Sequence, residues 1–167
     1  FKEYYTLNDI GGILFWDNAT YLPQGSSESR SEQLAVLSKL TDKTLRSDKI
    51  ERIINSIVVN NLSDFDKKNF ILMKNIIRQE NSVDPLLKEK LTRKKIQCEQ
   101  AWRLSKEKND ISIVKDLFND VLALTKEEAK QLSSNSTKSP YDSLINKYDM
   151  DLSSKTIDDL FSVIRNN

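Results

Sequence analysis

Apolar residues recur at helical spacing along almost the whole chain. The segment after Asp48 gives the pattern in full, with aliphatic side chains at i, i+3, i+4, i+7 and i+8 from Ile50 to Val58, which is one face of a helix. No stretch alternates strictly between apolar and polar residues, as a half-buried strand would. The pattern predicts an all-α fold of about eight helices, far above the usual helical share of roughly one third. We expect a single helical segment over residues 1–167.

Local caps and breakers place the helix ends. Asp84 followed by Pro85 is the clearest signal, an N-cap with proline at the first helical position, and it predicts the longest helix, ending near Lys108. The first helix is predicted from Leu7 to about Asn18 and a break at Tyr21–Gly25; the second helix begins at Ser26 or Ser27, with Ser29 and Glu32 as a capping box. Asp48 and Asn60–Asn61 bound the third helix, Ser63 with Asp66 caps the fourth, and a break follows at Asn81–Asp84. Later in the chain, Asn109–Asp110 caps the next helix, Ser133–Ser139 is a polar loop, a short helix runs from Tyr141 to Tyr148, and Ser153 caps the last helix.

Each helix is expected to bury its apolar stripe. Trp102 is expected in the core, and Cys98 one turn earlier is expected to be a buried structural thiol, because the chain has no histidine to activate it. The other predicted core positions are Leu34, Leu37, Thr41 and Leu45; Ile50, Ile53, Ile54, Ile57 and Val58; Phe65, Leu72, Met73, Ile76 and Ile77; Leu87, Leu91 and Ser105; Val114, Leu117, Phe118, Val121, Leu122, Ala129 and Leu132; and Ile157, Leu160, Phe161 and Ile164.

Two glycines, Gly11 and Gly12, lie inside the first predicted helix. Each costs helix propensity, roughly 1 kcal/mol relative to alanine. We favour close packing of another helix against this point, and the alternative is a hinge.

Composition excludes several classes of site within this chain. There is no histidine, so a zinc hydrolase site with an imidazole ligand, a serine hydrolase triad and a papain-like site are all excluded. The net charge is +1, which gives no reason to expect nucleic acid as a partner.

A single cysteine allows no internal disulfide, so a reducing, cytoplasmic setting fits best. No apolar run approaches the ~20 residues of a membrane span, no signal peptide is recognisable, and without an initiating Met the natural N-terminus is expected to lie upstream.

The charged clusters have structural explanations. Arg93–Lys95 is the most basic run but lacks the interleaved aromatics of a nucleic-acid site, so we favour a solvated helix face. Asp64–Asp66 and Asp149–Asp151 carry too few acids for a calcium loop, so we favour helix capping. We therefore predict no catalytic, cofactor-binding or metal-binding residue in this chain.

Aromatic and acidic residues crowd the junction between the first two predicted helices, at Trp16–Asp17 and Tyr21–Pro23. We favour a packed corner in which Asp17 bonds nearby backbone amides.

The same corner carries a family resemblance. Residues Leu14–Pro23 are similar to the "LSWDQETYMP" signature near the start of carboxypeptidase Taq-like (M32) metallopeptidases. Four further segments agree in order and spacing: Gly25–Leu37 resembles "G..EAR.EQLA.L", Ala101–Asp110 resembles "AW..A...ND", Pro140–Ile145 resembles "PYDALL", and Asp158–Phe161 resembles "LD.LF". One departure is Asp42, near a place where members often have a histidine that is not a zinc ligand.

The resemblance implies the N-terminal lobe of a two-lobed helical zinc peptidase. The zinc, or cobalt, would be held by an HExxH helix and a downstream glutamate, and these motifs lie further along the family's chain than this sequence reaches. This chain would form a groove wall or lid without itself being catalytic, and its partners would be peptide substrates and the catalytic region. The first helix, through Ile10, Ile13 and Leu14, would then expose an apolar patch, which makes a homodimer one expected assembly. The alternatives are a stand-alone helical interaction module derived from that family and, against the motif order, an unrelated helical scaffold.

Overall fold

The computed structural model describes residues 1–23, 25–134, 136–150 and 152–165. Within these ranges the chain forms eight α-helices and one short 3-10 turn, with no strand. The helices are α1 (Lys2–Thr20), α2 (Ser27–Leu45), α3 (Asp48–Ser56), α4 (Asp64–Ser82), α5 (Pro85–Lys108), α6 (Ser112–Ser133), α7 (Pro140–Ile145) and α8 (Ser154–Arg165), and the 3-10 turn is Val59–Asn61. The predicted all-α class with about eight helices is confirmed.

Side-chain caps begin the helices where the sequence signals them most strongly. The Ser63 hydroxyl accepts the Asp66 N–H at 3.2 Å at the start of α4. The Asp84 carboxylate accepts the Leu86 N–H at 2.9 Å, with Pro85 as the first residue of α5. Each bond satisfies a backbone donor that the first turn of a helix leaves without a partner.

Several predicted boundaries are wrong by part of a turn or more. The first helix begins at Lys2 instead of Leu7, Ser29 lies inside α2, whose N-cap is Ser26, and α3 ends at Ser56, ahead of Asn60–Asn61. These sites have weaker local signals, and a serine inside a helix looks like a cap when only its neighbours are considered. Gln24, Asn135 and Asp151, which belong to the predicted break, loop and acidic cluster, lie outside the described residues.

The packing order of the helices is built around α5. This helix packs on α2 along one side and on α6 along the other, α1 packs on α2, and α6 continues the layer to α7. Leu91 and Ile96 of α5 are almost fully buried, which explains why the longest helix is central: it offers apolar surface to two neighbours. The other buried apolar residues are Leu34, Ala35, Leu45, Phe70, Val83, Val114, Ala129 and Leu132.

Many residues predicted to be core are exposed instead. Phe65 is 74% exposed and Trp102 is 51% exposed. Leu72, Phe118 and Leu122 are exposed too, and neither α3 nor α8 has a buried residue, so the stripes from Ile50 to Val58 and from Ile157 to Ile164 are not core. An apolar stripe indicates that a helix has a face to bury. It does not indicate whether the surface that covers this face lies in the same chain.

No helix among the described residues combines the length and apolarity needed to cross a membrane.

Candidate functional site at the corner of the first two helices

An arginine of α2 holds the end of α1 in place. Arg30 Nη1 donates to the Leu14 carbonyl at 2.9 Å, and Nη2 pairs with the Asp17 carboxylate. The Arg30 side chain is 12% exposed and that of Asp17 is 35% exposed, so water reaches this charge-assisted contact from the Asp17 side only. Asp17 therefore pairs with an arginine, whereas the sequence predicted that it would bond backbone amides.

A second polar cluster ties the same end of α1 to α5. The buried Asn18 side chain donates to Glu99 at 3.1 Å. Glu99 also accepts Arg103 Nε at 2.5 Å, and Arg103 Nη2 donates to the Ala19 carbonyl at 2.6 Å. A cation at the C-terminal end of a helix interacts favourably with the helix dipole. Sequence reasoning missed this cluster, because Asn18 lies more than 80 positions before Glu99 and Arg103 in the chain.

The aromatic residues of the corner face outward. The Trp16 and Tyr21 rings meet edge to face with centroids 5.6 Å apart, and they are 60% and 73% exposed. The prediction of a packed corner therefore holds for the charged residues and is wrong for the aromatic ones. Large exposed rings beside a rigid polar cluster are typical of a surface that another molecule or segment covers.

An open groove lies beside the corner, between the start of α2 and the last turns of α5. Its volume is about 460 Å³, and Leu22, Gln97, Gln100, Arg103 and Glu107 are among the residues that line it. Amide and guanidinium groups on such a wall can bond the carbonyls and the terminal carboxylate of an extended peptide.

The basic run Arg93–Lys95 agrees with its structural explanation, whereas Cys98 is less buried than predicted. Arg93 pairs with Glu32 and Glu89, and Lys94 Nζ lies 2.7 Å from Asp120, so the basic run is a salt-bridged helix surface. Cys98 is half-buried, and burial raises the pKa of its thiol.

The described residues do not fit a catalytic zinc ion. None of their acids and thiols come together in a group of three or more that could hold a metal. Histidine is missing from the whole sequence, whereas catalytic zinc sites use at least one imidazole.

Comparison with known proteins identifies the family. The family model described as carboxypeptidase Taq (M32) metallopeptidase matches residues 1–167. The chain belongs to the M32 family. The segment that it matches is the N-terminal helical portion of the family's solved structures.

Curated relatives of this M32 chain are much longer. Carboxypeptidase 1 of Bacillus subtilis is 23% identical over 173 residues, covering 98% of this chain and 34% of the relative. Thermostable carboxypeptidase 1 of Pyrococcus furiosus is 20% identical, covering 98% of this chain and 33% of the relative. The chain thus spans about a third of the length of the curated relatives that it matches.

Solved M32 structures share the fold. The crystal structure of BsuCP superposes with a TM-score of 0.87 at 22% identity, over 99% of this chain and 33% of that one. Metallocarboxypeptidase 1 of Trypanosoma cruzi gives 0.79 at 25% identity, over 98% of this chain and 33% of that one. The apo-Mg structure of Pyrococcus furiosus carboxypeptidase gives 0.76 at 20% identity, over 98% and 33%.

Asp42, where this M32 chain departs from the family's sequence pattern, lies in a network of ion pairs. Asp42 is buried at the meeting point of α2, α4 and α5, where its carboxylate accepts Lys88 Nζ at 2.8 Å and Arg46 Nε at 2.7 Å. Lys88 also reaches Glu80 at 2.6 Å, and Arg46 donates to the Glu80 carbonyl at 2.9 Å. Asp42 therefore joins the end of α4 to the two helices beside it.

Proposed function

We propose that this chain is the non-catalytic N-terminal part of a zinc-dependent metallocarboxypeptidase that removes C-terminal amino acids from peptides, and that it forms one wall or the lid of the substrate groove. The observation that carries the proposal is that an M32 model matches all 167 residues, while the sequence has no histidine and its relatives are about three times as long.

In this proposal the chain binds and positions substrate. The groove beside the corner offers Gln97, Gln100 and Arg103 to a peptide, and the polar contacts of Asn18 and Glu99 keep that wall rigid. The metal that the family implies, zinc or cobalt, would be held entirely by another part of the protein. The partners are then peptides and that catalytic part, with no nucleic acid, and a cytoplasmic setting is consistent with a single cysteine.

A second candidate is a stand-alone helical interaction module. The exposed apolar faces of α3 and α8 favour it, since an amphipathic helix without a partner can recognise another helix. A polypeptide that continues into an HExxH segment would favour the peptidase proposal over this one.

The test is release of C-terminal amino acids from a short peptide, with and without a chelator. We expect none from the 167-residue chain, because it has no ligand set that could activate water. We expect chelator-sensitive release when the chain replaces the matching third of Bacillus subtilis carboxypeptidase 1. In that chimera Trp16→Leu should lower stability or kcat/KM and leave the zinc content unchanged.

Chelator-sensitive release by the chain alone would contradict the non-catalytic role. A chimera that holds zinc and never trims peptides would contradict the proposed activity.

A further inference from the structure

The first helix is apolar on both sides, although the described residues cover only one of them. Its inner side, at Gly11, faces Leu37 of α2. Its outer side carries Tyr5, Ile13 and Trp16, which are 49%, 66% and 60% exposed. Large apolar side chains grouped on an exposed helix face mark a surface that another molecule or segment covers.

The two glycines of α1 differ in what surrounds them. A Cβ added at Gly11 would lie 3.4 Å from Leu37, so this glycine is explained by the close approach of α2. A Cβ added at Gly12 would meet nothing within 4 Å. Glycine is among the least favourable residues in a helix interior, and within the described residues nothing offsets that cost at Gly12. A small residue between exposed apolar side chains lets a second helix cross closely at that point.

From these observations we infer that the outer face of α1, formed by Tyr5, Gly12, Ile13 and Trp16, is the docking surface for a helix of the remaining part of an M32 carboxypeptidase. The inference rests on the proposed function, because its occupant is the part of the protein that this chain does not contain. The relatives cover 98% of this chain and extend over about three times its length, so the missing part is large enough to cover the face.

The charge of Asp9 indicates which residues the docking helix should carry. Asp9 is exposed on the same side of α1, between Tyr5 and Gly12, and forms no ion pair with the described residues. The docking helix should therefore carry a small or apolar residue against Gly12 and a lysine or arginine opposite Asp9.

The groove between α5 and α6 is the competing surface. It has a volume of about 520 Å³ and is lined by Cys98, Trp102, Ile111 and Phe118, among others. Each surface contains one of the two tryptophans of the chain, so side-chain accessibility can separate them.

The experiment is hydroxyl-radical footprinting with peptide-level mass spectrometry. It compares the 167-residue chain with two assemblies: the chimera in which the chain replaces the matching third of Bacillus subtilis carboxypeptidase 1, and the chain co-expressed with the rest of that protein. We expect oxidation of Trp16 and Tyr5 to fall several-fold in the assembly and oxidation of Trp102 to stay close to its value in the free chain.

Gly12→Leu sharpens the test. In the free chain it should leave the fold intact, because the new Cβ meets nothing within 4 Å and leucine favours a helix more than glycine does. In the assembly the added bulk should weaken docking by about tenfold or more and restore oxidation of Trp16. Lys126→Leu, at an exposed position of α6, adds similar apolar bulk and should leave docking unchanged.

Three results would overturn the inference. One is protection of Trp102 without protection of Trp16, and another is failure of the chain to assemble in either form. The third is protection of Trp16 in the free chain as its concentration rises, which would identify a second copy as the occupant. A failure of the proposed function looks different. An assembly that protects Trp16 but releases no amino acids would refute the activity alone, and an active assembly with Trp16 still exposed would refute the docking surface alone.

Discussion

Replacing Asp42 by asparagine tests whether the buried ion network stabilises the fold. The substitution keeps the size of the side chain and removes the charge that Lys88 and Arg46 contact at 2.8 and 2.7 Å. The Asp42 and Lys88 side chains are only 8% and 14% exposed, so the loss leaves a lysine charge with little access to water.

The expected cost lies between two limits. Removing one partner of a fully buried ion pair costs about 3–5 kcal/mol, whereas an exposed pair contributes about 0–1 kcal/mol. Lys88 keeps its contact with Glu80, and the Arg46 side chain is 31% exposed, so both cations retain some compensation. We therefore expect Asp42→Asn to lower the free energy of unfolding by about 2 kcal/mol and the Tm by roughly 4–8 °C.

Asp120→Asn is the matched control. Asp120 also lies on a helix and pairs with a lysine of another helix at 2.7 Å, but its side chain is 53% exposed. Its replacement should cost less than about 1 kcal/mol. The measurement is urea unfolding followed by far-UV circular dichroism, with the m-value checked for constancy.

A double substitution separates charge from packing. Lys88→Met removes the cation and keeps most of the apolar stem, so Asp42→Asn and Lys88→Met together should cost less than the sum of the two single changes. If Asp42→Asn costs no more than Asp120→Asn, or if the double variant is strictly additive, the network does not stabilise this corner as argued.

Three further predictions concern other parts of the chain. Arg30→Met removes the contacts to Asp17 and Leu14 and should lower the free energy of unfolding by about 1–2 kcal/mol, read from the urea midpoint; an unchanged midpoint would contradict it. Hydrogen bonds from the Ser154 backbone N–H and the Ser154 and Ser139 hydroxyls hold the pKa of Asp142 below its usual range. The stability that this carboxylate contributes is therefore present at neutral pH and lost as the pH falls through the folded-state pKa, so Asp142→Asn should flatten the acid side of a plot of Tm against pH. Burial raises the pKa of Cys98, so iodoacetamide should modify it more slowly in the folded chain than in urea, and equal rates by mass spectrometry would contradict this.

Two predictions from the sequence stay predictions. One is that residues 1–167 form a single helical segment, and the other is that no catalytic, cofactor-binding or metal-binding residue lies in this chain. The chelator-controlled peptide assay and zinc calorimetry on the chain bear on the second.

The sequence by itself determined the class of fold, the strongest helix starts and the family. Ser63 and Asp84 cap α4 and α5 because a cap depends on residues two or three positions away. The family resemblance depends on short motifs whose order along the chain is visible without any fold. Both kinds of information are local, and the sequence displays them directly.

Only the tertiary structure decided which apolar faces are covered and which charges meet. Phe65 and Leu91 both lie on apolar stripes, and they end at 74% and 4% exposed. Asn18 meets Glu99 across 81 positions, and Lys88 meets Asp42 across 46. Burial and ion pairing depend on the surface that each helix contacts in the folded chain. Helical periodicity indicates which face of a helix is apolar, but not which element packs against that face. That is why Trp16 and Trp102, each on a helix that the sequence predicts, lie on open surfaces of this M32 chain.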